Sequence, residues 1–400
     1  MLDVQSTQER CLRLAQLLLQ HQPLWRLMPF QVTGLPWAAG YPALAAYVGQ
    51  LSEARCEALD ADPEQLHAEL GPLVAPLDWS ALCAVEALEQ PPLQPPEPLS
   101  RDIPGRKWQQ ITAFAAAVPV APGPLLDWCG GKGHLGRVLA WRGGGPVITL
   151  EWQQALCQAG EQLAHKFSLA QRFVCGDALA ADSARQLQGM HAAVALHACG
   201  ELHRRLLEAV ATTRLPALSL APCCYHLFAG EHYQPLSRHW PSALQLTPVE
   251  VRLAVQEQVT GGARVARLRR QERLYRLAFD LWQRQARGVD GYLPLPSVPN
   301  SLISDDFSVF ADWAAASRGL GFVASRAVQQ GLLLAAEADL ARIARLEMVR
   351  HLFRRPLEML LLLDQAAFLQ NAGYQVCLQR FCRRQISPRN LLLSAQLAST

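Results

Sequence analysis

Along the first 89 residues the apolar positions recur at intervals of three and four. QERCLRLAQLLLQ (8–20) and YPALAAYVGQLSEARCEAL (41–59) both carry the spacing of amphipathic helices. Residues 1–89 are therefore expected to form a helical N-terminal domain. The pattern stops at QPPLQPPEPLS, residues 90–100, which holds five prolines. Proline removes backbone donors and favours extended chain, so this stretch reads as a stiff linker. Beyond it the period changes. Short apolar runs, GPLLDW, PVITLE, QRFVCGD, HAAVALHACG and LPALSLAPCC, alternate with helical segments such as WQQALCQAGEQLAHKF. Strands that alternate with helices at such short intervals predict a parallel sheet with right-handed crossovers over residues 101–226.

From residue 227 to 335 the alternation lapses. GGARVARLRRQERLYRLAFDLWQRQARG (261–288) contains eight arginines and two acids, and its apolar positions include Leu268, Leu274, Leu277, Phe279 and Trp282. This reads as a basic helical insertion after the fifth strand, its charges forming either a solvated face or a polyanion groove. The sheet pattern resumes within residues 336–400. There the helical LEMVRHLFRRPLEMLLLLDQAAFLQNAGY precedes QVCLQRF and NLLLSAQ, two late strands around SPRN (387–390). The fold class this predicts is α/β: a seven-stranded Rossmann-like sheet, with a helical N-terminal domain and a helical insertion after strand five.

Composition narrows the class. Of the 400 residues, 50% are apolar and 18% charged, as in a packed globular protein. The N-terminus lacks a signal-peptide pattern, and no apolar run is long enough to span a bilayer without a proline or a charge. No membrane association is expected. Eleven irregularly spaced cysteines do not suggest a disulfide framework, so a reducing cytoplasm is expected. Net charge is +3, but residues 251–400 hold 20 arginines against 12 acids. Such asymmetry can mark a face for a polyanion.

The chemistry centres on LLDWCGGKGHLG (125–136). Gly131, Gly133 and Gly136 satisfy a dinucleotide fingerprint, whereas Asp127 ahead of the glycines suits the first motif of S-adenosylmethionine (SAM) methyltransferases. Such a site needs close backbone approach, an acid for the ribose hydroxyls and a polar group at the adenine edge. Asp127, Cys129, Gly130, Gly131 and Gly133 supply the first, Glu151 the second and Asp177 the third. The acids stand 24 and 26 residues apart, one strand–helix unit each. An acid at Glu151 would also suit a dehydrogenase; Asp127 decides for SAM as cofactor.

Three stretches together, LLDWCGGKGHLG, ALHACGEL and APCCYH, resemble a group of methyltransferase-like domains. The group includes eukaryotic methyltransferase-like proteins ending in S-P-R-N and the glutathione S-transferase C-terminal-domain-containing protein. More distantly, the first motif and H-x-C-G are similar to those of the 2′-O-methyltransferases of the tRNA acceptor stem, which also carry paired cysteines after strand five. The resemblance covers about residues 105–225 and 345–396. It implies the class I methyltransferase fold and SAM use.

On the acceptor side, His197 and Cys199 follow the fourth strand, and Cys223, Cys224, Tyr225 and His226 the fifth. Methyl transfer from a sulfonium is an in-line displacement, so the protein must position the nucleophile and remove its proton. His197 or His226 suits a base for a ribose hydroxyl. Tyr225 is placed as a stacking aromatic is in amino-methyltransferases, but P-C-C-Y lacks their amide acceptor. The histidines and cysteines are metal-ligand types. Adjacent cysteines seldom both hold one ion, however, and no C-x-x-C pair is present, so no metal is expected; Cys223 and Cys224 are alternatively small pocket fillers. Lys132 can reach the SAM carboxylate or a phosphate, or be solvated. Lys107 and Trp108 can grip a phosphate and stack a base, or cap and pack a helix. Arg389 can contact a phosphate from the SPRN turn. The expected acceptor is RNA, tRNA or rRNA; the alternatives are a protein, a small molecule, or a non-catalytic SAM-sensing or RNA-binding module.

Overall fold

The computed structural model describes residues 1–76, 78–88, 90–120, 122–256 and 263–398. Gly261 and Gly262, which open the arginine-rich stretch, lie outside the described residues. Eight strands form one sheet: β1 Glu86–Ala87, β2 Leu125–Trp128, β3 Val147–Glu151, β4 Gln171–Cys175, β5 Ala192–Cys199, β6 Ala217–Cys223, β7 Tyr374–Arg380 and β8 Leu391–Leu397. Their order is β1-β7-β8-β6-β5-β2-β3-β4. Only β8 runs antiparallel to its neighbours, β6 and β7. This is the class I methyltransferase sheet, with the two-residue β1 added at its edge beside β7. The seven expected strands all form. β1 was not expected, because two exposed residues carry no periodicity.

β2 and β3 are buried at every position because both faces are covered, as parallel sheets require. Helices Gly105–Ala117 and His134–Arg142 pack one face through Ile111, Phe114, Leu135 and Val138, against Leu125, Val147 and Val194. Phe114 meets Phe381 edge-on, with ring centroids 5.3 Å apart. Strand order reverses between β2 and β5, whose carboxyl ends therefore flank a crevice. Open α/β sheets bind ligands at such a switch point.

The chain divides into two compact units. The first comprises residues 1–20, 81–259 and 354–400 and contains the sheet; the second comprises 21–80 and 260–353. Residues expected as one N-terminal domain and one insertion are thus shared between them. In the first unit, helix Val4–Gln20 packs on helix Arg354–Asn371, and the Leu2 N–H donates to the Val376 carbonyl at 2.8 Å. The long helical stretch near residue 350 is two helices, Arg326–His351 and Arg354–Asn371. Pro356 sits in the first turn of the latter, where its missing N–H is harmless.

The second unit has its own core, in which helix Ala263–Arg287 contributes Tyr275, Phe279 and Trp282 against Phe307, Phe310, Leu332 and Ile343. Several arginines on its other side are met by acids. Arg270 pairs with Glu53 and Glu337, Arg273 with Glu57 and Glu347, and Arg284 with Asp280 and Asp290. Among the described residues, no helix is long and apolar enough to cross a membrane.

Candidate active site

The glycine loop leaves β2 through Cys129, whose φ of 58° is left-handed, and bends again at Gly131 and Gly133, with φ of 59° and 65°. It is packed tightly from beneath. A Cβ on Gly130 would collide with Asp127 and Thr149, and one on Gly133 with Gln171 and Phe173. One on Gly136 would stand 2.6 Å from Gln171 Nε2 and 2.9 Å from Asp127 Oδ2. At Gly131, by contrast, a Cβ would meet nothing within 4 Å. Only glycine lets the backbone lie this flat while one side stays open.

Asp127 is 1% exposed and lies under the loop, where its Oδ2 accepts the Gly136 N–H at 3.1 Å. Burial pushes its carboxyl up to about 7, and the nearby Glu151 adds to that. Asp127 thus holds the loop from below. Glu151, at the end of β3, accepts the Gly131 N–H on Oε2 at 3.1 Å and the Gln153 N–H on Oε1 at 3.0 Å. A carboxylate has about four lone-pair sites, so it keeps capacity for hydroxyl donors. Asp177 is exposed beyond β4 and accepts the Leu179 N–H at 2.8 Å. Gln171, which the sequence did not single out, braces the loop by donating to the Gly133 carbonyl at 3.0 Å and to Thr149 Oγ1 at 2.9 Å. A pinned backbone rim, an open side at Gly131 and an acid beside it fit an adenosyl cofactor.

His197, at the end of β5, also has a left-handed backbone, with φ of 70°. Its Nε2 lies 2.9 Å from Gln110 Oε1. Gln110 is buried in helix Gly105–Ala117, and its Nε2 donates to Ser387 Oγ at 3.0 Å and to the Arg389 carbonyl at 3.2 Å. These partners turn the amide so that Oε1 faces the imidazole. A carbonyl oxygen only accepts; Nε2 therefore carries the proton, and Nδ1 keeps its lone pair. Burial holds the imidazole below its ordinary range, Lys107 and Arg389 push the same way, and Cys224 opposes them. Sequence reasoning missed Gln110, although it lies two residues after Trp108, and gave Ser387 no role beyond the SPRN turn.

Cys224 has a φ of 48°. Cys129, His197 and Cys224 thus place left-handed non-glycine residues at the ends of β2, β5 and β6, and backbone strain of this kind collects at functional sites. Cys199 and Cys223 bring their sulfurs to 3.4 Å. Burial and the nearby Glu151 push the Cys129 thiol up to about 12. Tyr225 does not face the solvent: it is 2% exposed and meets His203 edge-on at 5.6 Å. That leaves no face for a stacked base. His226 is half-buried, and its Nδ1 is buried without a hydrogen-bond partner among the described residues. Lys107 and Lys132 are exposed, and both charges bear on His134, whose imidazole is lowered to about 4 mainly by burial. Trp108 packs against the sheet's core, which is the packing alternative for that residue. The Arg389 side chain donates to the Val255 carbonyl.

Residues 106–231 match the family model of a methyltransferase domain. No curated protein matches the chain. Similar solved structures include the Pyrococcus abyssi tRNA (uracil-54, C5)-methyltransferase in complex with S-adenosyl-L-homocysteine, at 16% identity and TM-score 0.24, covering 28% of this chain and 27% of that one. A TehB-like SAM-dependent methyltransferase from Corynebacterium glutamicum is 17% identical, with TM-score 0.22 and coverage of 28% and 60%. The cyclopropane synthase MmaA2 from Mycobacterium tuberculosis is 13% identical, with TM-score 0.25 and coverage of 87% and 98%. The chain thus spans about a quarter of the first of these structures and three fifths of the second. The family match begins in the helix that carries Gln110 and ends just past β6, and so takes in the glycine loop, Glu151 and His197: residues 106–231 are similar to a methyltransferase domain.

Proposed function

We propose that this protein methylates a ribose hydroxyl of an RNA, tRNA or rRNA, with His197 removing the hydroxyl proton. The observation that carries the reading is the contact of His197 Nε2 with Gln110 Oε1, which places the proton on Nε2 and leaves the lone pair on Nδ1. A hydroxyl must lose its proton as the new bond forms, and a positioned imidazole contributes typically ~100- to 10,000-fold to such a step. The cofactor supplies a methyl group activated on a sulfonium. Asp127, Gly130, Gly131 and Gly133 shape its cradle, Cys129 carries the turn into it, Glu151 takes the ribose and Asp177 the adenine edge. Lys107 and Arg389 bring positive charge to His197, and Arg252 and Arg389 bring it to His226, which suits the phosphates of a nucleic acid. The absence of an amide acceptor in P-C-C-Y favours oxygen over nitrogen as the acceptor. The S-P-R-N segment and the paired cysteines support a place in the methyltransferase-like group described above. Eleven free thiols support a reducing, cytoplasmic setting.

The test is alkaline hydrolysis of RNA labelled by the protein with methyl-tritiated SAM. Alkali needs a free 2′-hydroxyl, so ribose methylation leaves the label in alkali-resistant dinucleotides. Label released as mononucleotides would place the methyl on a base and remove His197 from this role.

A cavity of about 240 Å³ supports a second reading. It is lined by Gly200, His203, Tyr225, Tyr233 and Gln365 among others. Tyr225 Oη and Gln365 Oε1 are buried there without a hydrogen-bond partner among the described residues. A cavity of this size suits a small acceptor. Label in a soluble metabolite, with none in RNA, selects this reading.

A further inference from the structure

β5 and β6 run parallel and end level, with Cys199 opposite Cys223 in the register. Their sulfurs are 3.4 Å apart. In a continuing strand the next residue would point to the other face, because successive side chains alternate. Cys224 does not, because its φ of 48° turns the chain back. All three sulfurs then lie within 4.8 Å of one another. A left-handed backbone is unfavourable for a non-glycine residue, so bringing the third sulfur to the others opposes the local backbone preference.

We propose that Cys199, Cys223 and Cys224 form a binding site for a thiophilic divalent ion, zinc above all, held by three thiolates at the ends of β5 and β6. Zinc–sulfur bonds of ~2.3 Å in a tetrahedron place ligand sulfurs about 3.8 Å apart, close to the spacing found here. Soft thiolates select zinc over magnesium or calcium. Each thiol that binds releases its proton to solvent. The expectation of no metal rested on adjacent cysteines seldom both holding one ion and on the lack of a C-x-x-C pair. The turn at Cys224 answers the first ground, and Cys199 on the neighbouring strand supplies the sulfur that a C-x-x-C pair would have supplied. His226, two residues on, has a buried Nδ1 without a partner among the described residues, and it is the donor nearest in sequence for a fourth position. The ion would tie together the two strand ends that carry His197 and His226.

The experiment uses the full chain without a polyhistidine tag, reduced, stripped with a chelator and titrated with cobalt(II) and then zinc(II). The expected result is one cobalt ion per chain, with a sulfur-to-cobalt charge-transfer band of three-thiolate intensity that zinc displaces stoichiometrically. Cys199→Ser and Cys224→Ser should each weaken zinc binding about 100-fold or more, while Cys175→Ser, at an exposed cysteine, leaves it unchanged. Circular dichroism checks the fold of each variant, and the wild-type cobalt spectrum needs no variant. No charge-transfer band at stoichiometric cobalt would overturn the site. So would an unchanged zinc affinity in both Cys199→Ser and Cys224→Ser. A Cys199–Cys223 disulfide in the isolated protein, with no zinc uptake after reduction, would overturn it in favour of a redox pair.

Discussion

At the scale of single residues, the account turns on Gln110 and Asp127. Gln110 Oε1 meets His197 Nε2, so in the proposed reaction it is a positioning residue that fixes which nitrogen carries the proton. Gln110→Ala should lower kcat by ~10- to 100-fold while KM and SAM affinity stay within about twofold. A merely structural role would move stability and KM together, so the split between kcat and KM decides. Asp127 makes a prediction about pH. Its carboxyl is held at about 7 in the folded chain, above the ordinary value of 3.8, chiefly by burial. A raised folded value means that the folded state favours the proton. The contribution to stability is full below about pH 4 and is lost as pH rises through 7. Asp127→Asn keeps an acceptor for the Gly136 N–H and has nothing to titrate. Urea unfolding without cofactor should therefore show wild type losing up to ~4 kcal/mol relative to Asp127→Asn between pH 4 and 8. Parallel pH profiles would show that the carboxyl is not perturbed.

At the scale of elements, the glycine loop separates two costs. Gly130→Ala drives a Cβ into Asp127 and Thr149, whereas Gly131→Ala meets open space and only strains φ. Gly130→Ala should abolish measurable SAM binding and lower Tm. Gly131→Ala should cost only ~1–2 kcal/mol of stability. Equal effects of the two in calorimetry would mean that the packing beneath the loop does not matter. The strands and this loop were legible in the sequence because a strand–helix unit is short and its apolar runs and glycines are local signals. The places of Glu151 and Asp177 at successive strand ends were legible for the same reason, each falling one unit after the last. The orientation of His197 was not, because it depends on Gln110 and on the Arg389 carbonyl 279 residues further along. Nor was the cluster of three sulfurs, which depends on one backbone angle at Cys224. Tyr225 looked like a stacking residue because its neighbours in sequence say nothing of His203 against its ring.

At the scale of the whole molecule, the linear reading placed residues 1–89 together. Contacts instead join residues 1–20 to the sheet's unit and residues 21–80 to residues 260–353. Amphipathic periodicity says that a helix has an apolar face but not which distant helix covers it. Charge was ambiguous in a similar way. The arginine-rich helix raises the net charge of the C-terminal half, yet Arg270, Arg273 and Arg284 are matched by acids within their own unit. Exposed pairs of this kind contribute ~0–1 kcal/mol each, and their main effect is to cancel field. Arg270→Ala with Arg273→Ala should leave RNA affinity within about twofold and lower Tm slightly. Lys107→Ala should weaken RNA binding and flatten its salt dependence by one phosphate contact. Filter binding across a salt series checks both, and a large loss of affinity in the arginine variant would restore that helix as an RNA-binding face.

The central claim, methyl transfer from SAM to RNA with His197 as the base, is tested most directly by incubating wild-type protein and His197→Ala with methyl-tritiated SAM and RNA from cells lacking the gene. The account predicts acid-precipitable label that ribonuclease removes and protease does not, lost in His197→Ala while SAM affinity stays within a few-fold. Label removed by protease, or full transfer by His197→Ala, would contradict it.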